Sequence, residues 1–221
     1  MNVLVVGASR GLGLEFVRQY LEAGAQVTAT ARDEAALSAL RSLGAKALSL
    51  DVAQAQSASR LAAQLDGAAF EVIVVAPGVY GPRTRGVEAV STDDFDAVMH
   101  TNVLGAVRVI SQVSDALAPG ARLAVISSRM GSIGERSSTT GWLYRASKAA
   151  LNSVLKDVSL SWAGRAVCVS LHPGWVQTDM GGPSADLTPA QSVGDMRRLI
   201  ERLTPADNGR FYNHDGVVIA W

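Results

Sequence analysis

Six short apolar runs recur along the chain, each followed by a longer stretch with helical periodicity. They read VLVVG (3–7), QVTATA (26–31), KALSL (46–50), FEVIVVA (70–76), RLAVISS (122–128) and AVCVSLH (166–172). Each run is β-branched and continuous rather than alternating, the pattern of a strand buried on both faces in a parallel sheet. The spacing between them predicts helices over 11–23, 33–43, 54–66, 92–117 and 144–163, and another over 189–203. GVVIAW (216–221) reads as a last edge strand. Strands alternating with helices predict an α/β fold with a doubly wound, mostly parallel sheet. Right-handed crossovers in such a sheet put ligands at the carboxyl ends of the strands.

A chain of 221 residues with no internal repeat and no Pro-, Gly- or Ser-rich linker is expected to be a single domain over 1–221. Twenty basic residues balance twenty acidic ones, so no global field recruits nucleic acid or an anionic membrane. No apolar run reaches the roughly 18 residues of a membrane span, and MNVLVVGASRG lacks the basic region of a signal peptide. One cysteine, Cys168, excludes an internal disulfide, and the three histidines are too scattered in sequence to suggest a metal site. These features lead us to expect a cytoplasmic protein that binds no nucleic acid, membrane or metal.

The first run passes directly into GASRGLG, with Gly7, Gly11 and Gly13 in a strand–turn–helix setting. A pyrophosphate needs backbone close to it and helix N–H groups aimed at it, which is what residues without a Cβ allow. The spacing departs from G-x-G-x-x-G, but the place after the first strand still points to a dinucleotide. Its identity turns on the end of the second run, TATARDE, where a free ribose 2′-hydroxyl is usually met by a carboxylate. Here Arg32 stands at that place and Arg10 lies in the glycine turn. Guanidinium groups favour a 2′-phosphate and hence NADP (NADPH). Asp33 keeps an NAD reading open if its carboxylate turns inward, and otherwise caps the next helix.

Tyr144 and Lys148 in YRASK are four residues apart, so on a helix their ends share one face. Ser127 and Ser128 close the fifth run, LDV (50–52) follows the third, and TNVLG (101–105) falls within a predicted helix. HPGWVQTDM (172–180) follows the sixth. With these motifs in this order, the chain resembles the short-chain dehydrogenase/reductase family over almost its whole length. SSRMGSI and GRFYNHDG resemble more closely its C-factor and sniffer-like carbonyl reductase branch.

The resemblance implies a Rossmann fold and a hydride transfer between NADPH and a small aldehyde or ketone. It implies Tyr144 as acid/base and Lys148 as its partner, with the positive nicotinamide helping to lower the phenol's pKa. Ser128 would stabilise charge on the substrate oxygen, and Asn102 would hold a water linking Lys148 to solvent. The cofactor would rest on Gly7, Ser9, Arg10, Gly11, Leu12 and Gly13, with Asp51 and Val52 at the adenine. Ala76, Pro77, Gly78, Pro173, Gly174, Val176 and Thr178 would complete its site. Arg129, Met130 and Trp175, beside Ser128 and Tyr144, are candidate substrate contacts, and GERSSTTGW (134–142) would border the pocket with Trp142. Family members often pair through the two long helices, here 92–117 and 144–163, which implies a homodimer.

One departure stands out. VAPG (75–78) replaces the common Asn-Asn-Ala-Gly, so two amides are missing and Pro77 removes a backbone donor. That leaves two other readings beside the reductase: an NAD-dependent alcohol dehydrogenase, and a dinucleotide-sensing signalling protein with little turnover.

Overall fold

The computed structural model describes all 221 residues and gathers seven strands into one parallel sheet. In chain order the strands are β1 (Asn2–Val6), β2 (Gln26–Ala31), β3 (Lys46–Ser49), β4 (Phe70–Val75), β5 (Leu117–Ile126), β6 (Ala166–His172) and β7 (Arg210–Asn213). Their spatial order is β3-β2-β1-β4-β5-β6-β7, and every pairing is parallel. The order reverses between β1 and β4, the place where an open parallel sheet leaves a crevice.

Helices cover both faces. On one side lie α1 (Gly11–Glu22), α2 (Glu34–Ser42) and α8 (Pro189–Arg202), packed on Val3, Val5, Val74 and Val169. On the other, the short α3 (Ala55–Ala58) and α4 (Leu61–Gln64) join α6 (Gly105–Val113) and α7 (Trp142–Ser161) over Leu4, Val6, Ile73 and Leu123. Consecutive residues of β1 therefore feed opposite cores. Both faces are dry, which is why the strands read as unbroken apolar runs.

Four expectations need correction. The stretch 54–66 forms two short helices, because Ser57 accepts a hydrogen bond from the Asp51 N–H and Ser59 donates to the Gln56 carbonyl. Such side-chain bonds compete with a continuous helical ladder. The stretch 92–117 comprises α5 (Thr92–Met99), a π turn (His100–Leu104), α6 and a 3₁₀ turn (Ser114–Ala116), and Leu117 already belongs to β5. β5 starts earlier than expected, yet its register with β4 jumps from Phe70–Leu117 to Val72–Arg122 and is regular only from Arg122. Finally, the last strand is RFYN and not GVVIAW. A turn at Gly216, φ 91°, sends the chain back to a single antiparallel bridge between Tyr212 and Val218. The tail then leaves the sheet, and the Ala220 carbonyl accepts from the Ser132 hydroxyl at 2.6 Å.

A tight backbone contact joins the start of α1 to the turn after β1. A Cβ on Gly13 would run into the Gly7 carbonyl oxygen and stand 3.0 Å from the Ala8 Cα. Backbone blocks it on that side, so relief requires the helix to move off the sheet. Gly13→Ala should therefore destabilise the protein by about 1–3 kcal/mol through overpacking, although alanine gains about 1 kcal/mol in helix propensity. Urea unfolding of the two proteins checks the sign.

Candidate active site

A cleft opens at the carboxyl ends of β1, β2, β4 and β5, where the crevice between β1 and β4 leads. Its floor is the glycine turn. Gly7 takes φ 81° and Gly11 φ 55°, both left-handed, and the Gly7 N–H donates to the Thr30 hydroxyl at 3.1 Å. No side chain caps the start of α1 and no acid stands in its first turn, so its free N–H groups and the positive end of its dipole are left for an anion. Ser9, Arg10, Leu12 and Gly13 line the cleft with them, as expected. This is a cradle of uncapped backbone N–H groups, held close to the turn because Gly13 has no Cβ, and it fits a dinucleotide's pyrophosphate.

The second strand delivers Arg32 to the cleft wall, where it takes part in no ion pair. The Asp33 carboxylate turns away and accepts the Ala36 N–H at 2.9 Å as the cap of α2. It therefore does not face the cleft as a ribose acceptor. Arg10 pairs with Asp179 at 2.8 Å, with both side chains about three-quarters exposed. A pair so exposed is worth only about 0–1 kcal/mol, little enough to yield its guanidinium to a phosphate. Asp51 and Val52 lie at the cleft edge, with α6 drawn close because Gly105 has no Cβ to strike Val52.

The replacement segment VAPG is held in a way its sequence does not advertise. Pro77 lies against Gly7, where an added Cβ would stand 2.9 Å from the proline ring. Asn102, in the π turn and 1% exposed, clamps the next residue from both sides. Its Oδ1 accepts the Val79 N–H at 2.8 Å, and its Nδ2 donates to the Val79 carbonyl at 2.8 Å and to the Ser147 hydroxyl at 2.9 Å. Both amide protons are thus committed to protein. The side chain works as a brace between the β4 exit and α7.

Tyr144 and Lys148 sit on the first turns of α7 and are both buried. The Lys148 ammonium donates to the Ile126 carbonyl at 2.8 Å and lies 5.8 Å from the centre of the Tyr144 ring. Burial lowers its pKa to about 8. The phenol moves the other way: burial pushes Tyr144 up to about 12, partly offset by the Ser128 hydroxyl and reinforced by Tyr80. The expected lowering by Lys148 is not supplied within the chain. The ammonium is desolvated and held by a carbonyl, and desolvation of the phenol dominates. Ser128 caps the turn Arg129–Gly131 by accepting the Met130 N–H at 3.1 Å. Gly131 fits against α7 so closely that a Cβ would stand 2.7 Å from the Lys148 carbonyl carbon. That contact fixes the serine loop to the helix that carries Tyr144.

Other candidates end elsewhere. Ala76, Pro77, Gly78, Pro173 and Thr178 line the cleft, whereas Gly174 and Val176 do not. Val176 is buried in a bridge to Leu187, and Gly174 abuts Leu187 and His214. Arg129 faces Glu135 at 3.6 Å, and Trp175, half exposed, donates to the Gly181 carbonyl at 2.8 Å. Trp142 donates to the Glu88 carbonyl, tying the segment 134–142 to the chain after β4. Thr30, Val79, Thr101 and Ser127 also line the cleft and went unassigned from sequence. Each flanks an assigned residue or ends a strand, which was the available signal. His172 and Cys168 carry no proton chemistry near neutrality: burial lowers the imidazole to about 4 and raises the thiol to about 12.

Replacing Asn102 with alanine would strand the Val79 N–H and carbonyl, whereas the Ser147 hydroxyl keeps its bond to the Tyr144 carbonyl. One buried unsatisfied group costs about 1–3 kcal/mol, so Asn102→Ala should lose about 2–4 kcal/mol in urea unfolding. An unchanged midpoint would show that the clamp carries no weight.

Known proteins share this architecture. The family model of the short chain dehydrogenase matches residues 1–187. C-signal of Myxococcus xanthus is 44% identical over 131 residues, covering 58% of this chain and 79% of C-signal. A short-chain dehydrogenase/reductase of Burkholderia multivorans, solved with bound NADP, superposes with a TM-score of 0.91 at 32% identity, over 100% of this chain and 99% of that one. The carbonyl reductase Sniffer of Drosophila melanogaster gives 0.90 at 29% identity with the same coverage. The resemblance to the C-factor and sniffer-like branch is thereby borne out. With a matching model over most of its length and a cleft built to cradle a dinucleotide, the chain belongs to the short-chain dehydrogenase family.

Proposed function

We propose that the protein is an NADP-dependent reductase of small aldehydes or ketones, with Tyr144 as its proton donor. The observation that carries this reading is the meeting of Tyr144 and Lys148 in the cleft beside the glycine cradle, with the Ser128 hydroxyl acting on the phenol from the end of β5. NADPH, when bound, supplies the hydride. Tyr144 gives its phenolic proton to the substrate oxygen, so a carbonyl gains one hydride and one proton and leaves as an alcohol. A phenol held near 12 is protonated at neutral pH, the form that reduction requires. Ser128 stabilises the charge that grows on the oxygen. Lys148 braces the cofactor's ribose from the Ile126 carbonyl, and Asn102 keeps the β4 exit in place.

Arg32 and the capping of α2 by Asp33 support NADP over NAD, as does the NADP found in the Burkholderia multivorans relative. A second reading, a dinucleotide-sensing signalling protein, draws on the likeness to C-signal and on VAPG. Oxidation of NADPH, followed at 340 nm against a panel of carbonyl compounds, separates the two. Turnover supports the reductase, and tight NADPH binding without turnover supports the sensor. We also propose a homodimer through α5, α6 and α7, whose surfaces expose Phe95, Val107 and Leu160. A monomeric mass in solution at micromolar concentration would rule it out.

Two substitutions test the chemistry. Tyr144→Phe keeps the ring but not the proton, so turnover should fall about 10²–10⁴-fold with NADPH affinity nearly unchanged. Retention of most activity would remove Tyr144 from the mechanism. A charge-assisted bond is worth about 1.5–3 kcal/mol, so Arg32→Asp should lower kcat/KM for NADPH about ten- to a hundredfold. The rate with NADH should fall little or rise, collapsing or reversing the preference.

A further inference from the structure

Tyr80 lies just beyond VAPG, and nothing in its sequence context marks it as functional. Its ring nonetheless stacks on that of Tyr144, with centroids 4.7 Å apart and planes 20° from parallel. We propose that Tyr80, backed by Arg83, is a positioning residue: it fixes the plane of the Tyr144 ring and keeps water from the phenol. This rests on the reading of Tyr144 as proton donor.

The stack is seated on every side. Val79, the preceding residue, is held by the Asn102 clamp. Gly81, the following one, takes φ 74° and lies where a Cβ would strike Val98 of α5. Gly141, φ 67°, caps α7 two residues before Leu143, and a Cβ there would collide with the Tyr80 hydroxyl and stand 2.9 Å from its Cζ. The Gly141 N–H in turn donates to the Thr84 carbonyl at 3.0 Å. Glycine at 141 is thus what lets the Tyr80 ring reach the start of the helix that carries Tyr144.

Arg83 closes the outer end. Its guanidinium lies 5.0 Å from the centre of the Tyr80 ring and donates to the Met180 carbonyl at 3.3 Å. The arginine thereby links the segment after β4 to the loop after β6, and Met180 lines the cleft. Lys148 lies 5.8 Å from the centre of the Tyr144 ring. A cation, two stacked phenols and a second cation follow one another from the surface to the buried lysine, an arrangement that favours stacked rings and cations at ring faces. Tyr144 keeps only 7% of its surface, and the effect of Tyr80 on it runs in the same direction as burial.

The test needs a readout that does not depend on turnover. Phenolate formation is followed at 295 nm from pH 8 to 11.5, and the share of Tyr144 is taken as the difference from the same protein carrying Tyr144→Phe. In the wild type that share should be missing below about pH 11, whereas in Tyr80→Leu its midpoint should move down towards the ordinary tyrosine value. Tyr80→Phe keeps the ring and should titrate like the wild type. With a carbonyl substrate, Tyr80→Leu should lower kcat about tenfold or more, within the range of a misaligned proton donor, and Tyr80→Phe should restore it. A wild-type titration in Tyr80→Leu overturns the proposal, and so does equal damage from Phe and Leu. Should Tyr80→Leu not fold, Tyr80→Met, which keeps the bulk of the side chain without its ring, takes its place: a lowered Tyr144 midpoint supports the role and an unchanged one refutes it. If the wild type turns over no carbonyl compound, the reductase reading fails while the titration still decides the place of Tyr80.

Discussion

The side-chain amide of Asn102 holds the site together. Three hydrogen bonds from one buried residue tie the exit of β4 to the π turn and to Ser147 on α7. Val79 stands between the cofactor floor at Gly78 and the stacked ring of Tyr80, and Ser147 stands next to Lys148. A π turn gives up regular helical bonding, and such turns gather at functional sites. Here the turn carries the amide to where the backbone of β4 runs out of strand partners. Pro77 fits beside the glycine turn because Gly7 has no Cβ to strike its ring.

Burial then sets the electrostatics. Tyr144 and Lys148 are each shifted against ionisation, the phenol upward and the ammonium downward, and desolvation is the leading cause of both. At neutral pH the lysine, near 8, is still mostly an ammonium, whereas the phenol, near 12, keeps its proton. Charge brought by a bound cofactor or a growing oxyanion would act strongly there, because little water remains to screen it.

The sheet was readable because parallel strands buried on both faces leave continuous β-branched runs. Six of its seven strands appear as such runs in the sequence. β7 was misplaced because RFYN is only four residues long and opens on an exposed, charged arginine, whereas GVVIAW looks more strand-like yet finds no ladder beyond one bridge. Helix breaks were less legible, since serine hydroxyls at Ser57 and Ser59 and the π turn at His100–Leu104 leave no periodic trace. Within the site, the glycine turn and the shared helix face of Tyr144 and Lys148 were visible in the sequence, whereas the part of Ser128 came only from the family resemblance. The bracing bonds of Asn102 and the stacked ring of Tyr80 were not visible, because both are contacts between segments distant in the chain. Asp33 illustrates the remaining difficulty: a carboxylate after a second strand reads either as ribose acceptor or as helix cap, and only its bond to the Ala36 N–H separates the two.

The most direct measurement is a crystal structure of the protein with NADPH. The account predicts the pyrophosphate over Gly7–Gly13, the 2′-phosphate within hydrogen-bond reach of Arg32, and the nicotinamide between Thr178 and the Tyr144 hydroxyl. A nicotinamide lying away from Tyr144, or a 2′-phosphate turned from Arg32 into solvent, would contradict it.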